Sequence, residues 1–334
     1  QLKTVINKVF AYERHPFTSD SLWFKKGCAI ANCDGSDDSI YLYCMRYAES
    51  LAVNNGFNSV DTFCNYTGHN YTHILNSINQ GRMFVMYRGN GSVHWYDPFN
   101  VNPYSTANGN KLPIIISATC RTVSPNSGPI LGENFLRVGT PTNLRGAVAF
   151  YGGTRNTSNA AHLRNAVAIG FLDAIFIDQK RTFGEAGEGG RKRVYQQWGD
   201  LREYNNFTCL GDPELNLWTD TPCSLDVQHP EFVPFRPFNF VVSVKDADNQ
   251  MPINSAFVCI AGKADSSVYV LDTTDVDGEA QFSIDPLILG DTLFVTVTGR
   301  NLLPYEGAME IRVLDYPYIV YLNSFIDDSV WRMF

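Results

Sequence analysis

Two apolar stretches, residues 83–93 (MFVMYRGNGSV) and residues 112–120 (LPIIISATC), decide how the chain folds. Each begins with an unbroken run of apolar side chains and ends in small residues. Such runs are typical of strands that are buried on both faces, as in a parallel sheet covered by helices. In open α/β sheets the ligand crevice lies at the carboxyl ends of the strands. We therefore expect the last residues of both stretches to meet in one crevice.

The residues at these two strand ends are suited to acyl-transfer chemistry. Cys120 offers a thiol, and Gly91 belongs to a Gly-X-Gly loop that allows close approach of the backbone to a ligand. A nucleophile beside N–H groups that hold an oxyanion is the usual arrangement for this chemistry. A single cysteine after an apolar run also fits an inert buried thiol, so both interpretations stay open at this point.

Further motifs extend the pattern beyond the strand ends. In caspase-like cysteine peptidases, a strand ending in His-Gly is followed about thirty residues later by a strand ending in Ala-Cys. This chain has Asn90-Gly91 and then Ala118-Thr119-Cys120 in the same order. Within that group the chain resembles the gingipain-type peptidases over nearly its whole length. The tracts that carry the resemblance are Gly91-Ser92, Trp95-Tyr96-Asp97-Pro98, Gly132-Glu133, Phe135-Leu136-Arg137, Gly146-Ala147-Val148-Ala149-Phe150-Tyr151-Gly152 and Gly211-Asp212-Pro213-Glu214-Leu215.

The resemblance implies a cysteine endopeptidase with Cys120 as its nucleophile. The backbone N–H groups of Gly91 and Cys120 would form the oxyanion hole. Asp34 lies in a tract, Asp34-Gly35-Ser36, that resembles the one holding the family's acid, which orients the catalytic histidine. An Asp in a turn before a helix is explained equally well by hydrogen bonds from its side chain to the local backbone.

Asn90 stands where the family has its catalytic histidine. An amide cannot exchange a proton at working pH, so Asn90 cannot act as general acid or base. Two histories account for it: an engineered substitution that stops self-cleavage, or a natural, catalytically dead binding or scaffold module at a surface. His94, four residues on, is either a substitute base or simply a loop histidine beside Trp95. Without an imidazolium beside it, Cys120 is expected to be a sluggish thiol.

A substrate pocket is predicted beside the predicted nucleophile. Gly152-Gly153-Thr154-Arg155 would wall it, and His94 and Trp95 are further candidates for contact with the substrate. The lysine-cleaving members of the family carry an acid slightly further along, where this chain has Ala160-Ala161-His162. No carboxylate is therefore available to pair with a cationic substrate side chain.

The order of elements predicts two domains. Residues 1–222 alternate strands and helices, which indicates an α/β sandwich with a largely parallel sheet. The resemblance implies that this sandwich is a caspase-like fold whose first segment is missing from this chain. Residues 223–314 alternate short strands with turns and indicate an all-β sandwich, immunoglobulin-like by the resemblance. Residues 315–334 are a tail or the start of a further module. We expect the Gly-rich stretch before a helix at Arg191–Trp198 to be a link.

Composition describes a globular protein with few exceptional features. The net charge of −8 argues against nucleic-acid binding, and the longest apolar run is too short to span a membrane. The resemblance implies a secreted or cell-surface protein whose partners are a peptide or protein substrate and the missing N-terminal segment as a separate chain.

No cofactor is indicated by the sequence. Acidic turns at Asp246-Ala247-Asp248-Asn249 and Asp275-Val276-Asp277-Gly278-Glu279 leave structural calcium open, but they lack EF-hand spacing and are better explained as hairpin turns. Cys28 and Cys33 form either a local disulfide or two buried thiols.

Overall fold

The computed structural model describes residues 1–125, 128 and 130–313, which divide into two units. The predicted tail, residues 315–334, lies outside the described residues. The first unit comprises Gln1–Asp226, Asp246–Met251 and Thr298–Pro304. The second comprises Val227–Lys245, Pro252–Val297 and the described residues from Tyr305 onward.

The described helices and strands follow one another mostly as the sequence predicts. The helices are α1 (Leu2–Glu13), α2 (Asp38–Asn54), α3 (Tyr71–Gln80), α4 (Leu131–Arg137), α5 (Ala161–Phe176), α6 (Phe183–Trp198) and α7 (Leu201–Tyr204). The strands are β1 (Lys26–Asn32), β2 (Ser59–Cys64), β3 (Phe84–Gly89), β4 (Ile114–Ala118), β5 (Gly139–Thr140), β6 (Asn143–Leu144), β7 (Ala149–Gly153), β8 (Phe207–Leu210), β9 (Leu225–Gln228), β10 (Phe232–Pro234), β11 (Phe238–Asp246), β12 (Phe257–Gly262), β13 (Tyr269–Thr273), β14 (Glu279–Ile284), β15 (Thr292–Thr298) and β16 (Tyr305–Arg312).

The first unit is built on a sheet with the strand order β2-β1-β3-β4-β7-β8. All neighbouring pairs are parallel except β7 and β8, which run antiparallel. β3 and β4 lie side by side, with Arg88 opposite Ala118 in the register. The predicted adjacency of these two strands is therefore confirmed, and their carboxyl ends open at the same edge.

Both faces of this sheet are covered by helices, which explains the unbroken apolar runs of the central strands. Alternate residues point to opposite faces of a strand. Phe84 and Met86 join a core cluster that includes side chains of α2, α5 and α6. Val85 and Tyr87 join a second cluster with side chains of α3 and α4. The result is an α/β sandwich with the central strands fully buried, as predicted.

The helix α6 corrects one prediction. The Gly-rich stretch expected to be a link is helical from Phe183 on. A capping box explains the start, because Thr182 accepts from the Glu185 backbone while the Glu185 carboxylate accepts from the Thr182 backbone. The glycines serve packing, since a Cβ at Gly190 would lie 2.6 Å from the carbonyl oxygen of Val167 in α5. Close helix packing here outweighs the low helix propensity of glycine.

The second unit is all-β, as the sequence predicts. Its described strands form a five-stranded sheet in the order β10-β16-β15-β12-β13 and a three-stranded sheet in the order β14-β11-β9. Burial alternates along strands such as β14 and β15, so each of these strands has one buried and one solvated side. That alternation is the pattern of antiparallel sheets that cover a core with one face.

Candidate active site

The ends of β3 and β4 are joined by a side chain. The Thr119 hydroxyl donates a hydrogen bond of 2.8 Å to the carbonyl oxygen of Gly89. Gly91 also lies against this residue, since a Cβ at Gly91 would be 2.8 Å from Thr119 Cγ2. The loop that carries Asn90 and the turn that carries Cys120 are therefore held together at the crevice edge of the sheet.

The backbone at Asn90 is held by hydrogen bonds from two polar side chains, directly from Tyr87 and indirectly from Asn32. The Tyr87 hydroxyl donates to the carbonyl oxygen of Asn90 at 2.6 Å. Tyr87 itself accepts from Asn32 Nδ2 at 3.1 Å, and the same amide donates to the carbonyl oxygen of Tyr96 at 3.0 Å. Burial raises the pKa of Tyr87 well above its usual range, so its hydroxyl stays protonated and available as a donor.

The side chain of Asn90 contacts Asp34. Asn90 Nδ2 donates a hydrogen bond to Asp34 Oδ2, and both residues are exposed. The other oxygen, Oδ1, accepts from the backbone N–H and the hydroxyl of Ser36, each at 3.1 Å. One oxygen of Asp34 therefore holds the turn, and the other contacts the residue at position 90.

Cys120 has a cationic neighbour that the sequence analysis missed. Its thiol is partly exposed, and Arg164 Nη1 lies 2.9 Å from Sγ. Arg164 is 6 % exposed, and its Nε lies 3.3 Å from Oε2 of the fully buried Glu203. The cation beside the thiol is thus a guanidinium and not an imidazolium. The available signal was an arginine within α5, a helix of mostly apolar residues.

A second buried arginine lies below the two strand ends. Arg88, on β3, is 1 % exposed and donates to the carbonyl oxygen of Ala161 at 2.7 Å and to that of Ala118. Its guanidinium lies over the ring of Tyr41, 5.0 Å from the centroid. Burial lowers the pKa of Arg88. The interior beside Cys120 thus carries two arginines. Among the described contacts of Arg88 and Arg164, the carboxylate of Glu203 is the single acidic partner.

The backbone donors expected to hold an oxyanion are the N–H groups of Gly91 and Cys120. Among the described residues, no backbone carbonyl is paired with either of them in the loops and turns. The loop after Asn90 is kept open by its own bonds, in which Ser92 N–H donates to His94 at 2.9 Å and Tyr96 N–H donates to Asn90 at 3.3 Å. N–H groups without a backbone acceptor can receive a developing negative charge.

Trp95 does not line a substrate pocket, and this expectation is corrected. The indole is fully buried, stacks on Tyr87 with ring centroids 4.5 Å apart, and donates to the Ser117 hydroxyl at 2.8 Å. A large aromatic ring gains more from burial in the core than from exposure at a rim. His94 is exposed, and its ring lies tilted against that of Tyr96, with centroids 6.2 Å apart. It makes no hydrogen bond to Cys120 in the described part of the chain.

The predicted pocket wall lies beside the turn at Cys120. Gly152 and Gly153 are buried, and a Cβ at Gly153 would lie 2.6 Å from the carbonyl oxygen of Thr119. The backbone N–H groups of Thr154 and Arg155 both donate to Asn206 Oδ1, at 3.0 and 2.9 Å. The glycines therefore make room for the thiol-bearing turn, while Thr154 and the exposed Arg155 form the rim.

Metal ligation finds no support in the described residues. They contain no group of His, Cys, Asp and Glu side chains that could hold a metal ion. The acidic turns use their carboxylates locally: Asp246 accepts from the N–H of Asp248 at 2.8 Å, and Asp275 from that of Asp277 at 2.9 Å.

The described cysteines are all free thiols. Cys28 and Cys33 are both buried, and the thiol near Cys33 is that of Cys64, with the sulfur atoms 3.8 Å apart. No described helix is long and apolar enough to cross a membrane.

A largely parallel sheet under helices, with a thiol and its polar partners at the crevice edge, fits the class of cysteine peptidases with a caspase-like fold. Residues 1–218 match the model of peptidase family C25. The chain belongs to this family, so the resemblance to gingipain-type cysteine peptidases is confirmed. No curated protein matches the chain.

Solved structures share the fold over most of the chain. The Arg-specific cysteine proteinase gingipain R (RgpB) aligns with a TM-score of 0.78 and 21% identity, covering 93% of this chain and 72% of that one. A complex of the pro- and mature domains of Porphyromonas gingivalis RgpB aligns with a TM-score of 0.80 and 22% identity, covering 93% and 74%. At such identities the likeness establishes the architecture and leaves the chemistry to the residues of this chain.

Proposed function

We propose that the chain is a gingipain-like cysteine endopeptidase that hydrolyses peptide bonds through Cys120, in a form impaired by Asn90. One observation carries the proposal. The hydrogen-bonded side chains of Asp34 and Asn90 and the thiol of Cys120 follow the ends of the neighbouring parallel strands β1, β3 and β4. The family supports the reaction class, and the N–H groups of Gly91 and Cys120 support the oxyanion hole.

The reaction divides between groups that this chain has and one that it lacks. The Cys120 sulfur attacks the scissile carbonyl carbon, and the oxyanion is held by the N–H groups of Gly91 and Cys120. The C–N bond then breaks, and the leaving amine needs a proton. Water afterwards attacks the thioester and releases the acid and the thiol. A histidine at position 90 would supply the proton and activate the water, and Asn90 can do neither.

Asn90 also supports a second candidate function. Its side-chain Nδ2 donates to the Asp34 carboxylate, so asparagine makes a polar contact of its own at this position. A natural binding or scaffold module with a peptidase fold would keep such an arrangement. The two candidates differ in whether a histidine at position 90 creates catalysis.

The substrate side chain next to the cleaved bond is proposed not to be cationic. Arg88 and Arg164 lie within the interior beside Cys120, and Arg155 is exposed on the rim. A lysine or arginine side chain of a substrate would be repelled there, since like charges in a partly buried site are unfavourable.

The wider assignments are also proposals. The second unit has two sheets, in which β11–β14, β12–β13 and β15–β16 are antiparallel pairs and β10–β16 is a parallel pair. This arrangement supports an immunoglobulin-like sandwich, and we propose domain limits of 223–314 for it and 1–222 for the peptidase domain. Secretion or surface display is proposed because the resemblance to gingipain-type peptidases implies it. The matched RgpB complex holds pro- and mature domains together, and by analogy a separately held segment of the catalytic domain is a partner of this chain.

The test is the substitution Asn90→His, assayed by cleavage of a mixed peptide library. We expect cleavage to rise by roughly 10³-fold or more, the scale of restoring a member of a catalytic triad. Cys120→Ala in the Asn90→His background is the control and should remove the gain. If the folded Asn90→His variant cleaves no peptide faster than the native chain, the protein is a binding or scaffold module.

A further inference from the structure

The thiol of Cys120 is contacted from the side of α5 by a buried cation. Arg164 Nη1 donates to Sγ at 2.9 Å, while Arg164 Nη2 donates to the carbonyl oxygen of Thr157 at 3.4 Å. The side chain is 7 % exposed, so little water competes with the sulfur for the guanidinium. A cation at this distance favours the ionised form of a neighbouring acid.

Arg164 is held in place by a buried chain of polar groups. Glu203 accepts from Arg164 Nε at 3.3 Å, and both Glu203 oxygens accept from Asn206 Nδ2 at 3.1 Å. Asn206 in turn accepts from the backbone N–H groups of Thr154 and Arg155. Because the guanidinium of Arg164 also donates hydrogen bonds to Glu203 and Thr157, it has little freedom to move away from the Cys120 sulfur.

We propose that Arg164 is a catalytic residue that holds Cys120 as a thiolate, so that the native chain, with Asn90, has a reactive nucleophile but no proton donor for the leaving group. The inference rests on the proposed role of Cys120 as nucleophile. Arg164 cannot replace histidine fully, because a guanidinium does not release its proton in proteins. It stabilises the attacking sulfur and leaves protonation of an amine undone.

This division of roles names a substrate class for the native chain. Acyl compounds whose leaving group departs without a proton, such as 4-nitrophenyl esters, need only the thiolate and the oxyanion hole. The Cys120 sulfur forms a bond to the acyl carbon, the C–O bond breaks, and 4-nitrophenolate leaves with the electron pair. Peptide amides, whose amine must be protonated as it leaves, react slowly with the same chain.

Other charged or titratable groups lie around this site. Arg88 reaches from β3 and Tyr41 from α2, Glu203 lies on α7, and Asp34 is joined to the loop through Asn90. Arg121 follows Cys120 in the chain and has its own interactions. The buried Glu203 partly offsets the charge of Arg164, so a test must change both together.

The first experiment measures alkylation of Cys120 by iodoacetamide between pH 5.5 and 9.5, read by mass spectrometry of the Cys120 peptide. A free small thiol serves as reference. We expect Cys120 to react at least about tenfold faster at pH 6.5 than a thiol of ordinary acidity with the same limiting rate, and the two to converge above pH 9. This arm uses the native chain alone. A profile that coincides with the free thiol overturns the proposal.

The second experiment compares the variant Arg164→Gln/Glu203→Gln, which removes both charges and keeps amides able to hydrogen-bond. A matched control, Arg193→Gln/Asp173→Asn, neutralises another arginine–aspartate pair between α6 and α5. At pH 6.5 we expect the first variant to lose about tenfold in alkylation rate and in the burst of 4-nitrophenolate from 4-nitrophenyl acetate. The control should match the native chain.

The outcomes separate this inference from the proposed function. An equal loss at every pH would mean that Arg164 acts only on access to the sulfur, and would overturn the inference. If alkylation behaves as expected but Asn90→His cleaves no peptide, the peptidase function falls and the thiolate–arginine pair stands. If Asn90→His cleaves peptides but the native alkylation profile is that of a free thiol, the inference falls alone.

Discussion

The side-chain amide of Asn90 donates a hydrogen bond to the carboxylate of Asp34, so the two residues already form the contact that an orienting acid makes with a catalytic histidine. The acid is tied to its turn by Ser36 and Asp37 N–H groups. It therefore keeps its position whichever residue stands at position 90. An imidazole introduced there would find an acceptor in place to select its tautomer.

Asp34→Asn in the Asn90→His background should lower peptide cleavage by at least about tenfold, because an amide no longer enforces the productive tautomer of the imidazole. Initial rates on the best peptide from the library measure the effect. Asp37→Asn is the matched control, since the Asp37 side chain makes no capping hydrogen bond at the start of α2. An equal loss in both variants would point to the loop fold, not to Asp34.

Thr119→Val should weaken the junction of β3 and β4. The variant keeps the shape of the side chain but removes the donor that bonds the Gly89 carbonyl oxygen at 2.8 Å. A lost hydrogen bond of this kind lowers the free energy of unfolding by about 1 kcal/mol. Urea denaturation measures it. Thr119→Ser retains the hydroxyl and should recover most of the loss, and a variant pair with equal stability would refute the role of the bond.

Gly190→Ala should destabilise the first unit, although alanine is the better helix former. A Cβ at this position would lie 2.6 Å from the carbonyl oxygen of Val167, so α5 and α6 would have to move apart. Overpacking of this kind lowers the free energy of unfolding by roughly 1–3 kcal/mol. Lys192→Ala, at an exposed position of the same helix, is the control and should change little. Thermal unfolding of both variants shows whether Gly190→Ala lowers or raises the stability of the first unit.

Lys8 should make stability depend on pH in the alkaline range. Burial, followed by the nearby Arg145, lowers the pKa of Lys8 from 10.5 to about 7. Between these values the unfolded chain binds more protons than the folded one, so the contribution of Lys8 to the free energy of unfolding rises with pH. Below about pH 7 both states are protonated and the dependence ends.

Chemical denaturation of the native chain and Lys8→Met at pH 7 and 9.5 measures this contribution. We expect the stability difference, native minus variant, to grow by roughly 3 kcal/mol between the two pH values. The amine donates to the carbonyl oxygens of Phe135 and Leu136 at 3.0 and 2.7 Å, so the variant loses stability at both pH values through unpaired acceptors. A difference that stays constant with pH would show that Lys8 remains charged in the fold.

Local patterns in the sequence determined the architecture at the crevice. The apolar runs that end at Gly89 and Ala118 predict two buried parallel strands, because only strands covered on both faces can afford continuous apolar side chains. Cys120 and Asn90 follow these two strands, and the carboxyl ends of adjacent parallel strands lie at the same edge of the sheet, so the sequence also predicts where these two residues lie. The turn at Asp34 also follows from local hydrogen bonding, which needs no distant partner.

Only the tertiary structure decided which side chains surround the thiol. Arg164 is 44 residues from Cys120, and Glu203 is 39 residues from Arg164, so no spacing in the sequence links them. Trp95 is buried because Tyr87 and Ser117 from two strands meet it. The glycines of α6 predict a flexible link in the sequence, and only their packing against α5 explains why this stretch is helical. Burial and charge pairing depend on which elements meet, and that information is distributed over the whole chain.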